Sequence, residues 1–158
     1  MYIWNGKKLA KVLAKNELSE LEKIKYLLLG SIFYITTNYF NFYVFPIIDN
    51  FYYFEYFLII LITIAGVLVC FKKHGGNAQK GFIENFICLT VPVLVKMYLF
   101  VWLPYALFYR FVNPIELGWS EEFTANVFNV SQSSLAVSSD VFFYILMAYY
   151  LKLTNEYR

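Results

Sequence analysis

Four stretches of this chain are too long and too apolar for the core of a small water-soluble domain. They cover residues 24–45, 51–71, 84–109 and 135–153. Each reaches the roughly 20 residues that a helix rising 1.5 Å per residue needs to cross about 30 Å of hydrocarbon. The whole chain has 158 residues, so the four runs leave room for a single domain. Only 15% of the residues are charged, against about 25% in ordinary globular chains. The expected fold class is therefore an all-α membrane protein, one domain over 1–158 with four transmembrane helices. The first run starts late and has no small-residue cleavage site, so it reads as a retained span and not as a signal peptide.

The basic residues set the expected threading. Lys7, Lys8, Lys11, Lys15, Lys23 and Lys25 precede or open the first run. Lys72, Lys73 and Lys80 lie between the second and third, and Lys152 and Arg158 close the chain. With four spans these 11 of the 13 basic residues share one side, which the positive-inside rule assigns to the cytoplasm. Both termini are then cytoplasmic, and three or five spans would scatter the asymmetry. The opposite connections carry Asp49, Glu116, Glu121 and Glu122. The Phe, Tyr, Asn, Ile and Lys bias suits an AT-rich bacterial gene, so the expected location is a bacterial inner membrane.

Ahead of the first span, in segment 1–18, GKKLAKVLAKN puts Leu9, Val12 and Leu13 on one side and lysines around the other. This pattern predicts a short amphipathic helix on the membrane surface, with Asn5 as N-cap. Ser19 and Glu22 spell a capping box that starts the next helix. The longest connection, 111–134, contains Trp119, Phe123 and Val127 at helical spacing. It reads as an amphipathic segment begun by Ser120, or as an outward extension of the fourth helix.

The stretch VPVLVKMYLFVWLP, residues 91–104, raises the functional question, because it places Lys96 deep in the third span. A lysine at the bilayer centre costs at least about 2.5 kcal/mol on insertion scales, so such residues face protein or water. Counted at 1.5 Å per residue, Lys96 lies ~15–18 Å from the basic end of its span, Asp140 ~18 Å from Lys152, and Asn38 ~20 Å from Lys25. Asp140 is thus the expected partner of Lys96, with Ser139 and Asn38 nearby. In the first span Ser31, Tyr34, Asn38 and Asn41 follow steps of three, four and three, one helix face. This stripe serves either as hydrogen-bonding glue between helices or as the wall of a wet path. Pro92 and Pro104 bracket Lys96. Each removes a helix hydrogen bond, which makes the third span the candidate gate.

Lys7, Lys8, Lys11, Lys15, Lys72, Lys73, His74 and Lys80 form a candidate cytoplasmic face for an anionic lipid, a nucleotide or an oligonucleotide. The single His and two Cys make no zinc pattern, and no metal or cofactor is expected. No nucleophile motif, paired carboxylate or phosphate-binding loop appears, so the expected role is non-enzymatic. A four-helix chain is too small to enclose a wide pore, but repeated subunits place one polar face around a shared axis. The sequence therefore points to a homo-oligomeric ion channel or pore-forming effector in the lipid bilayer, of the kind used in phage-defence or toxin systems. The alternatives are an accessory or scaffold subunit of a larger membrane complex, and a small transporter using Lys96 and Asp140.

Overall fold

The computed structural model describes residues 2–44, 50–111 and 120–157. Among these residues all regular structure is helical. Among the described residues three helices are long and apolar enough to cross a membrane, over Phe54–His74, Phe82–Phe108 and Ser133–Glu156. These helices point to a membrane protein.

The helices are α1 (Gly6–Ala14), α2 (Glu20–Val44), α3 (Asn50–His74), α4 (Phe82–Met97), α5 (Leu103–Phe111) and α6 (Glu121–Glu156). α1 starts where the Asn5 side chain accepts a 3.0 Å bond from the Lys8 N–H and stops near Asn16, whose φ is 55°. The capping box closes as spelled. The Glu22 N–H bonds the Ser19 hydroxyl at 3.3 Å, and the Ser19 N–H donates to the Glu22 carboxylate at 3.2 Å. Gly75 and Gly81, with φ of 115° and 84°, take the left-handed turns that end α3 and open α4. The 121–134 segment belongs to one unbroken 36-residue helix, α6. It is therefore an extension of the last helix. Asp49, Glu116, Trp119 and the side chains of Arg110, Glu121, Glu122 and Phe123 lie outside the described residues.

α6 is the centre of the packing. It contacts α3, α4 and α1, and α2 packs on α4. Glu55 pairs with Ser133 and Cys70 reaches the Tyr144 carbonyl, so α3 and α6 run parallel. Lys23 meets Glu84, and Phe33 stacks edge-on to Tyr98, so α2 and α4 also run parallel. Gly66 allows the close approach of α3 and α6, because a Cβ there would fall inside the Tyr144 ring.

The buried core sits at the end of the bundle that holds the 72–81 connection and the last turns of α6. Leu9, Ala10 and Leu13 of α1 share it with Tyr26, Cys88, Leu89, Met147, Tyr150 and Leu151. The apolar strip of the first helix therefore packs on the protein. The apolar side of α1 is closed off inside the protein, with Leu9 and Ala10 fully buried. The physical reason is a fit to α6: a Cβ at Gly6 would sit only 2.7 Å from the Tyr150 ring. The Tyr26 hydroxyl also accepts a hydrogen bond from the Tyr2 N–H, so this protein surface competes with lipid for the strip.

Candidate functional site

Lys96 lies in the last turn of α4 and is half-buried. Its ammonium donates to the Tyr150 hydroxyl at 2.5 Å and lies 5.1 Å from the same ring's centroid. Tyr150 in turn is held under Gly6 and beside Tyr149. A lysine, a phenol and the first helix thus form one contact across α4, α6 and α1.

The pairing of Lys96 with Asp140 is not what forms. Among the described residues the ion pairs are Lys15–Glu17, Lys23–Glu20, Lys23–Glu84 and Lys152–Glu156. The cause is the direction of side chains on antiparallel helices. Side chains lean toward the N-terminus of their own helix. Lys96 therefore leans toward the basic end of the bundle, and Tyr150, on the opposing helix, leans out to meet it. Asp140 stands ten residues earlier on α6, ~15 Å along the axis, and leans further away.

Asp140 belongs to a different neighbourhood, the α3–α6 seam. There the Ser133 hydroxyl donates to the Glu55 carboxylate, and the Tyr144 hydroxyl approaches Thr63. Asp140 stands seven residues after Ser133 and four before Tyr144, on the same face of α6. Ser139 is buried but donates to the Ala136 carbonyl of its own helix at 2.8 Å, so it adds no bond to a neighbouring helix. Ser31 is exposed on α2. The side chains of Tyr34, Asn38 and Asn41 lie outside the described residues. Lys96 and Asp140, the described members of the expected midplane cluster, thus stand in two separate neighbourhoods along α6.

Between the two prolines the helix changes form. Tyr98–Trp102 is a π turn, and the Leu103 N–H bonds back to the Tyr98 carbonyl. Pro104 offers no N–H to the Phe100 carbonyl and its ring crowds that oxygen. The wider turn absorbs the defect before α5 begins, as such turns often do at functional positions. Pro92 is buried within α4.

The basic residues gather at one end, as the connections require. Lys7, Lys8 and Lys11 are exposed and lie 5.9, 5.2 and 5.7 Å from the ring centroids of Tyr149, Tyr2 and Tyr157. Exposed Lys72 and Lys73 close α3, and Lys15 lies 3.8 Å from Glu17. Lys80 is also exposed. His74 does not belong to this face. It is fully buried, with Nε2 2.9 Å from the Asn85 amide nitrogen and its ring edge-on to Phe82. The chain reverses at Gly75, and the reversal folds the imidazole under α4. Lys23 clips α2 to α4 at 2.7 Å from both Glu20 and Glu84. Hydrogen bonds to Glu20 and then Glu84 raise its ammonium well above the usual lysine range. The lysine's contribution to the clip is therefore complete below about pH 10.4 and is lost as the pH rises through that higher value.

Among the described residues no group of three or more His, Cys, Asp or Glu gathers to hold a metal ion. Cys70 and Cys88 are free and buried. Sequence reasoning passed over Gly6, Gly66, Tyr144 and Tyr150. The available signals were the lone glycine in the second apolar run and the tyrosines at 144, 149 and 150. Comparison with protein-family models, with curated proteins and with solved structures gives no match.

Proposed function

We propose that this protein is a four-span, ion-conducting membrane protein that completes its pathway by homo-oligomerisation, with α4–α5 as the moving element. Its location in this reading is a bacterial inner membrane, with both termini in the cytoplasm. The observation that carries the reading is the π turn at Tyr98–Trp102, directly after Lys96 and between two prolines. A helix that departs from regular hydrogen bonding next to its only lysine has a place to bend and a charge to move. Glu55 and Asp140 supply polar surface further along α6, near its seam with α3, and ionisable groups within apolar helices commonly line ion paths. The role follows as depolarisation of the cell, as in a defence or toxin effector, with the basic face receiving the regulator.

The test is ion flux in vesicles and conductance in planar bilayers. Purified protein should run as a multiple of 18.7 kDa and conduct. Pro92→Ala with Pro104→Ala restores helix hydrogen bonds and should lower open probability by about tenfold, near 1.4 kcal/mol. Lys96→Met should leak wherever it accumulates. A monomer that leaves bilayers silent would remove the channel reading and put the accessory-subunit role first.

A further inference from the structure

One groove of about 490 Å³ opens between α3 and α6, away from Lys96 and the π turn. Its walls are apolar, with Ala65 and Val69 on α3 and Ile145 and Ala148 on α6. Two lysines, Lys73 and Lys152, also line it. The parallel register explains why they meet. Glu55 pairs with Ser133 and Gly66 packs on Tyr144, a separation of 78 residues, so Lys73 is level with the turn that contains Lys152. Both lysines are therefore at the basic end, and the apolar wall runs from them into the bundle. Lys7 adds a third ammonium through the ring of Tyr149, which also lines the groove. Lys152 touches Glu156 at 3.2 Å, but that pair is exposed and Glu156 does not line the groove.

The dimensions select the occupant. On α6 the groove extends from Val141 to Lys152, a rise of ~17 Å. Half of a ~30 Å hydrocarbon core is ~15 Å. The groove thus matches one leaflet in length, its volume lies in the roughly 300–1,000 Å³ range of ligand sites, and its charge is at one end. The geometry points to a site for one anionic phospholipid, with an acyl chain lying in the groove along the α3–α6 seam and the phosphate between Lys73 and Lys152. The neighbouring Lys72 is exposed but does not line the groove, so it separates a built site from general attraction to the basic face.

Native mass spectrometry of the full chain in mild detergent tests this, using equimolar phosphatidylglycerol and phosphatidylcholine with identical chains. Phosphatidylglycerol should be retained about tenfold better. Lys73→Gln with Lys152→Gln should abolish the preference, while Lys72→Gln keeps it. Ala65→Leu fills the groove without touching a charge and should lose the lipid. Glycerol phosphate, a head without a chain, should not compete. Equal retention of both lipids, an equal loss with Lys72→Gln, or full retention by Ala65→Leu would each overturn the site. If the double variant does not accumulate, Lys73→Gln and Ala65→Leu decide alone. The readout is binding, so a silent bilayer leaves the result unaffected.

Discussion

Lys96 is where residue-scale chemistry and sequence expectation part. Its phenol partner carries no charge, so the lysine is not neutralised. It is hydrogen-bonded and set against a ring, on a stem long enough to bring the ammonium toward the basic end. Hydrogen bonds to charged groups are typically worth about 1.5–3 kcal/mol. Tyr150→Phe keeps the ring and removes the bond, and should destabilise toward the lower part of that range because Lys96 is half-buried. Lys96→Met combined with Tyr150→Phe should show coupling. Lys96→Met combined with Asp140→Asn should be additive within about 0.3–0.5 kcal/mol, because groups this far apart share no contact. Thermal unfolding in detergent measures all of these variants. Strong coupling to Asp140, with none to Tyr150, would contradict the observed contact.

At the scale of elements, α1 distinguishes a surface anchor from a structural cap. As an anchor its apolar strip would meet lipid, and shortening one side chain would leave the bundle intact. As a cap, Leu9→Ala empties a fully buried site, and such changes cost about 2–5 kcal/mol. Gly6→Ala should also destabilise, by about 1–3 kcal/mol, because the added carbon presses on Tyr150. Exposed Lys7→Gln should stay within about 0.5 kcal/mol. Loss of folded protein in the first two variants, read by fluorescence-detected size exclusion, is the expected result. An unchanged Leu9→Ala would return α1 to the membrane surface. Much of this was legible in the sequence: the period of Leu9, Val12 and Leu13 gives a helix, and Ser19 to Glu22 gives the next start. Which surface covers the apolar strip was not legible. That depends on Gly6 fitting one tyrosine 144 residues away, and periodicity carries no such long-range information. Depth counting failed for Lys96 for a related reason, since it places Cα atoms and ignores that antiparallel helices aim their side chains in opposite directions.

For the whole molecule, three contacts gather the distant parts of the chain at one end. α1 packs on the last turns of α6, Gln79 bonds Asn155, and Lys23 bonds Glu84. The N-terminus, the 75–81 connection and the C-terminus therefore share an end, and it is the basic one. If positive charge sets orientation, single cysteines at Asn77 and Arg158 should label only from the cytoplasm, and one at Glu121 only from outside. The background is favourable because Cys70 and Cys88 are 0% and 1% exposed, so the native protein should resist a membrane-impermeant maleimide. Labelling at Asn77 from outside, with Arg158 still inside, would mean an odd number of crossings between them and would break the Gln79–Asn155 contact. Labelling of all three sites from one side would keep the three contacts but leave α6 uncrossed. Alternation of the Asn77 and Glu121 signals is the outcome in which the parallel α2–α4 and α3–α6 pairs cross the membrane. The same labelled samples then test assembly. Asn77 cysteines in a ring of subunits come near their copies and should cross-link with a short bifunctional maleimide into a ladder that ends at a fixed subunit number. A dimer band that rises with protein density and never closes would indicate random collision, and the shared pathway would have to be abandoned.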